Sequence, residues 1–179
     1  MKYQNYNKNI PFKIFGFHTN IYITGNGYDG LFIDIDPKNS KIIFNKEREE
    51  FIVSANTLTS KLVNYTMNLG YDFASLTGIP GMVGSGVVGN SSWASGKNYG
   101  KYVKKLIIFD FKESKQIEVR PDETFFSTRN SFIKKENREK TRYFVKEIIL
   151  KSEYIGKEKV REKYLEQINK RRESLKIGF

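Results

Sequence analysis

The sequence predicts an α+β fold in which an antiparallel sheet is flanked by helices. Short runs of β-branched and aromatic residues, separated by Gly, Asn, Asp or Pro, fill the first half of the chain and resume after residue 105. Two other segments repeat apolar residues at helical spacing. Many strands and few helices favour a sheet with helices packed on one face. The length of 179 residues favours one domain, although two small domains are possible.

Eight segments are predicted to be strands because each is short, apolar and bounded by turn-forming residues. In chain order they are residues 10–15, 21–24, 31–35, 41–44, 50–55, 106–111, 116–119 and 143–150. Residues 78–100 are too rich in glycine and serine for a regular element. They are also too long for a simple turn, so we expect this stretch to be functional.

The first predicted helix follows the fifth strand. Asn56 or Thr57 is placed to cap its start, and Gly70 to end it in a left-handed conformation. One apolar face is predicted from residues at i, i+4, i+7 and i+11, namely Leu58, Leu62, Tyr65 and Leu69.

Residues 156–179 predict a second helix, which is amphipathic and highly charged. We expect this helix to close the domain formed by residues 1–155. Its inward face is predicted to carry Val160, Tyr164, Leu165 and Ile168.

Composition excludes several classes of function. The chain has no cysteine, so disulfides, zinc–thiolate sites and thiol catalysis are excluded. His18 is the only histidine and cannot build a histidine metal cluster, so no metal site is predicted. No apolar run reaches the roughly 18 residues of a membrane span, and the N-terminus lacks the features of a signal peptide. We therefore expect a cytoplasmic protein without a membrane partner.

The net charge of +11 allows three interpretations. Nucleic-acid binding is one, and attraction of anionic small molecules such as nucleotides is another. The third, which charge alone favours, is a lysine-rich surface, because the lysines concentrate after residue 97 and alternate with glutamates as on a solvated helix. Nucleic acid is the weakest partner, since the aromatic residues follow core-like spacing and no stacking platform is visible.

The first motif is a turn directly after a predicted strand. Glycine there permits a tight turn with positive φ, and successive backbone N–H groups can form an anion-binding nest. Side chains at its end add hydrogen-bonding groups. For this motif alone, an ordinary tight turn without a ligand is the more common explanation. The run reads Phe15-Gly16-Phe17-His18-Thr19-Asn20.

The second motif is a glycine-rich segment at residues 77–86, TGIPGMVGSG. Its glycines remove side chains where a ligand or another backbone approaches, and Pro80 stiffens its entrance. Ile79, Met82 and Val83 offer an apolar wall for a ring. A structural glycine loop is the alternative. No Gly-Lys-Ser/Thr follows and no βαβ unit frames the segment, so it is neither a Walker A loop nor a Rossmann fingerprint.

Together these motifs resemble signatures of the UDP-N-acetylenolpyruvoylglucosamine reductase family. Residues 10–20 resemble its strand and G-x-G-S-N turn, and residues 78–84 (GIPGMVG) resemble its G-I-P-G-x-V-G element, which is the most specific match. Asn90 falls at the asparagine of N-A-G-A-Y-G. Residues 128–131 (TRNS) resemble Y-R-x-S, and residues 171–174 (RRES) resemble R-R-x-S. The matches run in order over nearly the whole chain.

The resemblance implies an FAD-binding domain of the PCMH, or vanillyl-alcohol-oxidase, type. It also implies a peptidoglycan-precursor reaction in which hydride passes from NADPH through FAD to UDP-N-acetylglucosamine enolpyruvate, giving UDP-N-acetylmuramate. Arg129 matches the catalytic arginine, which would stabilise a developing enolate; a surface ion pair is the alternative. The implied cofactor-binding residues are Gly16, His18, Thr19 and Asn20 at the diphosphate, Gly78, Ile79, Pro80, Gly81, Val83, Gly84 and Ser85 opposite, and Asn90 near the flavin.

The chain also departs from the family pattern. His18 replaces a glycine, where positive φ would cost about 1 kcal/mol. Thr128 replaces the tyrosine before the arginine, and Ser54 and Asn56 replace the glycines of a Gly-x-Gly. The second half of N-A-G-A-Y-G has become SSWASG at residues 91–96. These changes predict relaxed or altered FAD binding.

We further expect the family's N-terminal part and its C-terminal substrate domain to be absent from this chain. That domain supplies the serine and glutamate that protonate the substrate. Two hypotheses follow: a shortened or split reductase completed by a second chain, or an FAD- or nucleotide-binding module without reductase activity. Bound flavin separates both from a nucleic-acid-binding protein, and NADPH oxidation with the UDP-sugar separates the first from the second.

Overall fold

The structure is a computed structural model that describes residues 10–19, 21–23, 25–93 and 97–176. Its largest element is a five-stranded antiparallel sheet of order β3-β4-β9-β5-β6. The central strand is β9, the last strand along the chain. The five strands are β3 (Ile42–Asn45), β4 (Glu50–Ser54), β5 (Val103–Asp110), β6 (Lys115–Val119) and β9 (Tyr143–Leu150).

One face of this sheet carries the core. Apolar side chains alternate with exposed or half-buried ones along β4, as expected for a strand with one covered face. The pairing register aligns Val53 with Ile148 and Ile148 with Leu106, so the buried side chains of three strands meet on that face. A register shift between Ile107 and Ile108 leaves Lys146 of β9 without a partner on β5 and so places Val145 on the buried face, opposite Ile108.

Two further strand pairs lie outside the main sheet. β1 (Phe12–Phe15) and β2 (Leu31–Asp34) form a two-stranded parallel sheet, and β7 (Phe126–Ser127) pairs with β8 (Asn130–Ser131) as a short hairpin. The parallel pair is tied to the main body by hydrogen bonds: Thr141 Oγ1 donates to the Phe12 carbonyl at 2.6 Å, and the Asn56 amide donates to the carbonyls of Asp36 and Lys38.

Helices cover the buried face. They are α1 (Thr59–Leu69), α2 (Val83–Val88), α3 (Phe132–Glu136) and α4 (Lys157–Lys176), with single 3-10 turns at Ala74–Leu76 and Tyr99–Lys101. Helix α2 packs on β4 and β9, whereas α4 packs on α1 and on the first 3-10 turn. Within the part of the chain that the structure describes, no helix is long and apolar enough to span a lipid bilayer.

The strand predictions are largely confirmed, and β9 has the predicted bounds. Residues 21–23 are wrongly predicted, because they form no strand, and Thr24 lies outside the described residues. Within the segment predicted to lack regular structure, residues 83–88 form a helix although glycines disfavour helices. Its cause is tertiary: the N–H of Gly84 donates to the Ala55 carbonyl and that of Val83 to the Thr57 carbonyl, which fixes the first turn.

The details of both predicted helices need correction. Leu58, not Asn56 or Thr57, is the cap of α1, because the side chain of Asn56 binds the β2–β3 connection instead. The predicted stop at Gly70 is confirmed, with φ of 87°. The covered face of α1 carries Thr59, Leu62, Val63 and Thr66, whereas Tyr65 is exposed; on α4, Val160 is buried but Leu165 is half exposed.

Candidate functional site

The two glycine turns predicted from the sequence lie against each other. A Cβ atom on Gly16 would stand only 3.3 Å from Ser85 Oγ, and one on Gly81 would stand 3.2 Å from Thr19 Oγ1. Gly81 also has φ of 95°, a left-handed conformation that glycine adopts without strain. Glycine is therefore required at the second turn for its backbone and at the first for close approach.

A cavity of about 490 Å³ opens beside this contact. The volume lies within the range of about 300–1,000 Å³ that is typical of small-molecule sites. Strand β1, helix α2, strand β9 and the segment after α3 form its walls. Its apolar surface comes from side chains such as Ile14, Met82, Val88 and Phe144, and its polar groups include Ser85.

The lining of this cavity is basic. Three cationic side chains, Lys13, Lys134 and Arg138, line it, and no aspartate or glutamate is found among the lining residues that the structure describes. Lys134 and Arg138 are exposed to solvent, so their charges are only partly compensated by the protein. A cavity lined by cationic side chains without acidic ones attracts an anionic ligand.

Lys13 holds the two sides of the cavity together. Its ammonium group donates to the carbonyls of Asn137, Arg138 and Glu139 at 3.1 to 3.2 Å. These carbonyls follow the end of α3, where a cation is favoured by the exposed carbonyl dipoles. Because Lys13 belongs to β1, this contact sets the distance between β1 and the segment after α3.

The second glycine turn uses many of its backbone donors for its own fold. The N–H groups of Thr77, Ile79, Val83, Gly84 and Gly86 all donate to protein carbonyls. Ser85 Oγ also donates to the Met82 carbonyl, at 2.9 Å, which leaves its lone pairs free to accept. The turn therefore contributes shape and a hydroxyl group more than a row of free N–H donors.

Of the predicted cofactor residues, Gly16, Gly84 and Ser85 line the cavity, and Thr19 and Gly81 adjoin it. His18 has the expected positive φ, 52°, and its Nε2 forms a hydrogen bond with Asp34 Oδ1 at 2.8 Å. The turn is thus closed by a side chain on β2. Asn20 lies outside the described residues, so its predicted contact with the diphosphate stays a prediction.

The remaining predicted residues of the second turn lie away from the cavity lining. Ile79 and Val83 belong to the hydrophobic core, and Pro80 is exposed. A Cβ on Gly78 would meet Arg171 of α4 at 2.7 Å, so this glycine permits the close packing of α4. Packing explains these positions without a ligand, and their predicted role at FAD stays a prediction.

Asn90 is buried and bonded within the protein. Its amide nitrogen donates to the Ser127 carbonyl at 2.8 Å, and its amide oxygen accepts from the Gly100 N–H at 2.9 Å. Asn90 thus links the end of α2, the 3-10 turn and the β7–β8 hairpin. This position connects it to the segment that carries Arg129.

Arg129 forms the tip of the β7–β8 hairpin. It has φ of 56°, its side chain is exposed, and its carbonyl accepts from Lys134 Nζ at 2.9 Å. Arg129 does not line the cavity, although Lys134 connects the two. Six described non-glycine residues have positive φ, and three of them, His18, Asn90 and Arg129, are predicted site residues, which is where backbone strain tends to collect.

Sequence reasoning missed the basic and polar wall after α3. Lys134, Arg138 and Thr141 line the cavity, but they lie in a charged stretch that looks like any solvated surface. One signal in the sequence could have found it. Residues 134–142, which follow the TRNS motif, contain five cationic residues and so place positive charge next to a motif already linked to function.

Comparison of the sequence with known proteins identifies relatives of this chain. No family model matches the sequence. Two curated relatives are both UDP-N-acetylenolpyruvoylglucosamine reductases. The protein from Rhodopirellula baltica is 30% identical over 126 residues, which is 69% of this chain and 40% of the relative. The protein from Orientia tsutsugamushi is 30% identical over 125 residues, which is 68% of this chain and 41% of the relative.

The chain is homologous to part of the UDP-N-acetylenolpyruvoylglucosamine reductases. It spans about two fifths of the length of these curated relatives.

Solved structures agree with the reductase relationship at the level of the fold. The UDP-N-acetylenolpyruvylglucosamine reductase of Thermus caldophilus superposes with a TM-score of 0.70 and 20% identity, over 92% of this chain and 57% of that one. An alkyldihydroxyacetonephosphate synthase superposes with a TM-score of 0.55 and 14% identity, over 82% of this chain and 28% of the synthase. The predicted fold class is confirmed: helices and an antiparallel sheet, similar to the FAD-binding domain of the reductase and to the PCMH-type synthase.

Proposed function

We propose that the chain binds FAD at the cavity beside the two glycine turns. The contact of Gly16 with Ser85 and of Thr19 with Gly81, next to a basic cavity of about 490 Å³, is the observation that carries the proposal. Lys134 and Arg138 suit a diphosphate, and the apolar walls suit an aromatic ring system. The homology to the reductases supports FAD as the ligand with a diphosphate and an aromatic ring system that binds in this cavity.

The individual residues have different tasks in this proposal. Thr19 orients the diphosphate through its hydroxyl group, and Ser85 does so when its hydroxyl proton turns from the Met82 carbonyl to a phosphate oxygen. Gly16 and Gly81 let the two turns that carry these hydroxyl groups approach each other. Arg138 and Lys134 add favourable charge at the rim. Lys13 affects the ligand only indirectly, because its ammonium group donates to three carbonyls and so holds β1 against the segment after α3.

We further propose that the chain is part of a UDP-N-acetylglucosamine enolpyruvate reductase. Bound FAD would supply the two-electron chemistry that connects NADPH to the UDP-sugar. Arg129 would place a permanent cation beside the oxyanion that develops on the substrate. The exposed tip of the β7–β8 hairpin leaves this side chain accessible to a substrate.

The second candidate function is a nucleotide-binding module without reductase activity. One observation favours it: Arg129 does not line the cavity that carries the ligand-binding argument. The chain spans only about two fifths of the length of the reductases that it matches. We therefore expect the chain by itself to retain flavin but to oxidise NADPH hardly at all with UDP-N-acetylglucosamine enolpyruvate present.

The first experiment is a titration of the purified chain with FAD, followed by flavin fluorescence and by equilibrium dialysis. Arg138→Glu reverses the charge of an exposed cavity-lining residue and should weaken FAD binding by about tenfold, with a smaller effect at high salt. Lys135→Glu makes the same change on α3 outside the lining and is the matched control. Absence of flavin binding by the folded wild-type chain, or equal effects of the two variants, would contradict the proposed site.

A further inference from the structure

The surface around β2 exposes an unusual amount of apolar side chain. Thirteen large hydrophobic residues are exposed among those that the structure describes, and eight of them lie between residues 10 and 33. Leu31, Phe32 and Ile33 are 55%, 45% and 41% exposed, and all four residues of β2 are open to solvent. Apolar residues scattered singly need no explanation, but a contiguous group marks an interaction surface.

The sheet that carries this surface has only two described strands, β1 and β2. Parallel sheets usually have both faces covered, and a strand pair alone is rarely stable. Within the described residues, β2 pairs only with β1, so no described strand occupies its second edge. The four residues of β2, Leu31–Asp34, include neither the lysine nor the proline that proteins use to block an edge.

The backbone groups on the open edge can be identified from the register. The N–H of Leu31 donates to the Pro11 carbonyl, and the N–H of Ile35 donates to the Phe15 carbonyl, so these residues point their backbone groups toward β1. Because backbone direction alternates along a strand, the N–H and C=O groups of Phe32 and Asp34 point away from β1. A further strand would pair with these two residues.

The charge around this edge differs from that of the rest of the chain. Residues 14–37 contain three aspartates, Asp29, Asp34 and Asp36, and no lysine or arginine, although the net charge of the whole chain is +11. Asp34 Oδ1 is hydrogen-bonded to His18 Nε2 and Asp36 lies 3.8 Å from Lys38, so residues 14–38 carry a net charge of −2. This distribution disfavours pairing between two copies of β2, which would bring like charges together, and favours a basic partner.

The edge is also held rigidly in place. Phe12 packs edge-on against Phe111 at a centroid distance of 5.0 Å, and Lys13 and Thr141 tie β1 to the segment after α3. The ring of Phe32 packs against the rings of Phe15 and Tyr28 at 4.8 and 4.9 Å. A preformed edge binds a strand at a lower entropic cost than a flexible one.

We propose that the open edge of β2 binds an extended segment of another protein, with apolar residues flanked by lysine or arginine. The segment adds a third strand through the backbone groups of Phe32 and Asp34, and its cations lie near Asp29, Asp34 and Asp36. This proposal does not depend on FAD, since none of the three β2 residues Leu31, Phe32 and Ile33 lines the cavity.

The test uses the whole chain and a synthetic peptide of about eight residues in which valine and threonine alternate between terminal lysine pairs. A peptide with glutamate in place of each lysine is the control. Fluorescence anisotropy should give at least about tenfold tighter binding for the basic peptide, with the difference reduced by salt. In amide exchange, the N–H groups of Phe32 and Asp34 should exchange rapidly in the free chain and become protected with the basic peptide.

Variants locate the binding. Asp34→Pro removes an edge N–H and should weaken binding by about tenfold more than Asp34→Ala, which likewise removes the carboxylate that bonds to His18. Leu31→Lys adds positive charge to the apolar surface and should weaken binding of the basic peptide by about tenfold or more. Ile43→Lys is the matched control. Ile43 lies on β3, an edge strand of the five-stranded sheet, and its side chain is 54% exposed, close to the 55% of Leu31 on β2. Circular dichroism of each variant confirms that it is folded.

Several outcomes would overturn the proposal. Failure of the folded chain to bind the basic peptide would do so, as would equal binding of the acidic peptide. Protection of Phe32 and Asp34 in the free monomer would show that the chain covers its own edge. A concentration-dependent dimer in light scattering that Leu31→Lys abolishes would assign the edge to a second copy. Retained FAD with no peptide binding would leave the proposed cofactor site intact.

Discussion

Asn90 satisfies two backbone groups of different segments with one side chain. It accepts from the Gly100 N–H and donates to the Ser127 carbonyl, and its own backbone has φ of 43°. Asparagine tolerates this left-handed conformation better than most residues. The position matches a family motif residue, yet its bonds explain its identity without a ligand. It positions the hairpin that carries Arg129.

Asn90→Ala should destabilise the chain by about 1–2 kcal/mol, because the partly buried hydrogen bonds with the Gly100 N–H and the Ser127 carbonyl are lost. Chemical denaturation measures the change in the free energy of unfolding. Asn39→Ala is the control, since Asn39 is exposed and also has positive φ, 57°, so it reports the backbone cost alone. Equal losses in the two variants would mean that the side-chain bonds of Asn90 contribute nothing.

Individual site residues differ in how visible they are in a sequence. Gly16, Gly81 and Ser85 could be predicted because glycine at a strand end has few physical uses, and the structure brings these residues together. Lys13 could not, since nothing local distinguishes its role at the carbonyls of residues 137–139, more than a hundred positions away, from that of a surface lysine. Long-range pairing is not encoded in local spacing.

At the scale of the element, Asp110 connects the end of β5 to the following turn. Its Oδ1 accepts from the N–H groups of Lys112 and Glu113, and its Oδ2 lies 3.5 Å from the Arg142 guanidinium. Burial alone would raise the pKa of this carboxyl. The backbone hydrogen bonds and Arg142 outweigh it and hold the pKa below its ordinary value. The ionised form therefore stabilises the β5–β6 turn.

This lowered pKa predicts acid sensitivity. The stabilisation is fully present above the pKa of the unfolded state, about 3.9 for aspartate, and is lost as the pH falls through the lower pKa of the folded state. Asp110→Asn should therefore reduce stability at pH 7 and flatten the loss of stability below about pH 4. Thermal unfolding from pH 2 to 7 measures both, with the exposed Asp29→Asn as the control. An unchanged acid profile in Asp110→Asn would contradict this role.

An element could be predicted when its own residues determine it, but not when contacts with residues distant in sequence do. Strand β9 could be bounded correctly because alternating apolar residues between turn signals determine it locally. Helix α2 could not, because Gly84 and Gly86 disfavour a helix by propensity and are retained for contact with Ala55 and the Tyr99 ring. The cap of α1 was wrong for the same reason, since a distant loop uses the Asn56 side chain.

At the scale of the molecule, helix α4 is attached to the body by an ion pair between the half-exposed Lys163 and the buried Asp72, and by packing contacts. Lys163 Nζ lies 2.6 Å from Asp72 Oδ2, and Asp72 is buried beside the first 3-10 turn. The hydrogen bond to Asp72 raises the pKa of Lys163, so its charge persists over the whole neutral range. Val160 is buried at the start of the helix, and Arg171 stacks on Trp93 near its end.

Lys163→Met should lower the free energy of unfolding by about 1–2 kcal/mol, because it leaves the Asp72 carboxylate buried without its cation. Lys170→Met is the control: Lys170 pairs with Glu166 at 2.5 Å, but both side chains are more than half exposed, so only a few tenths of a kcal/mol are expected. Urea denaturation measures both. If the control costs as much as Lys163→Met, the ion pair does not secure α4.

The place of β9 in the sheet has a consequence for how a ribosome-bound chain reaches this structure. The strand made last is the one in the middle, between β4 and β5, so neither earlier hairpin can find its neighbour until about residue 150 has emerged. Contacts this distant in sequence form slowly. The nascent chain therefore presents two unconnected hairpins from the completion of β6 at Val119 until β9 emerges, and only then closes its sheet.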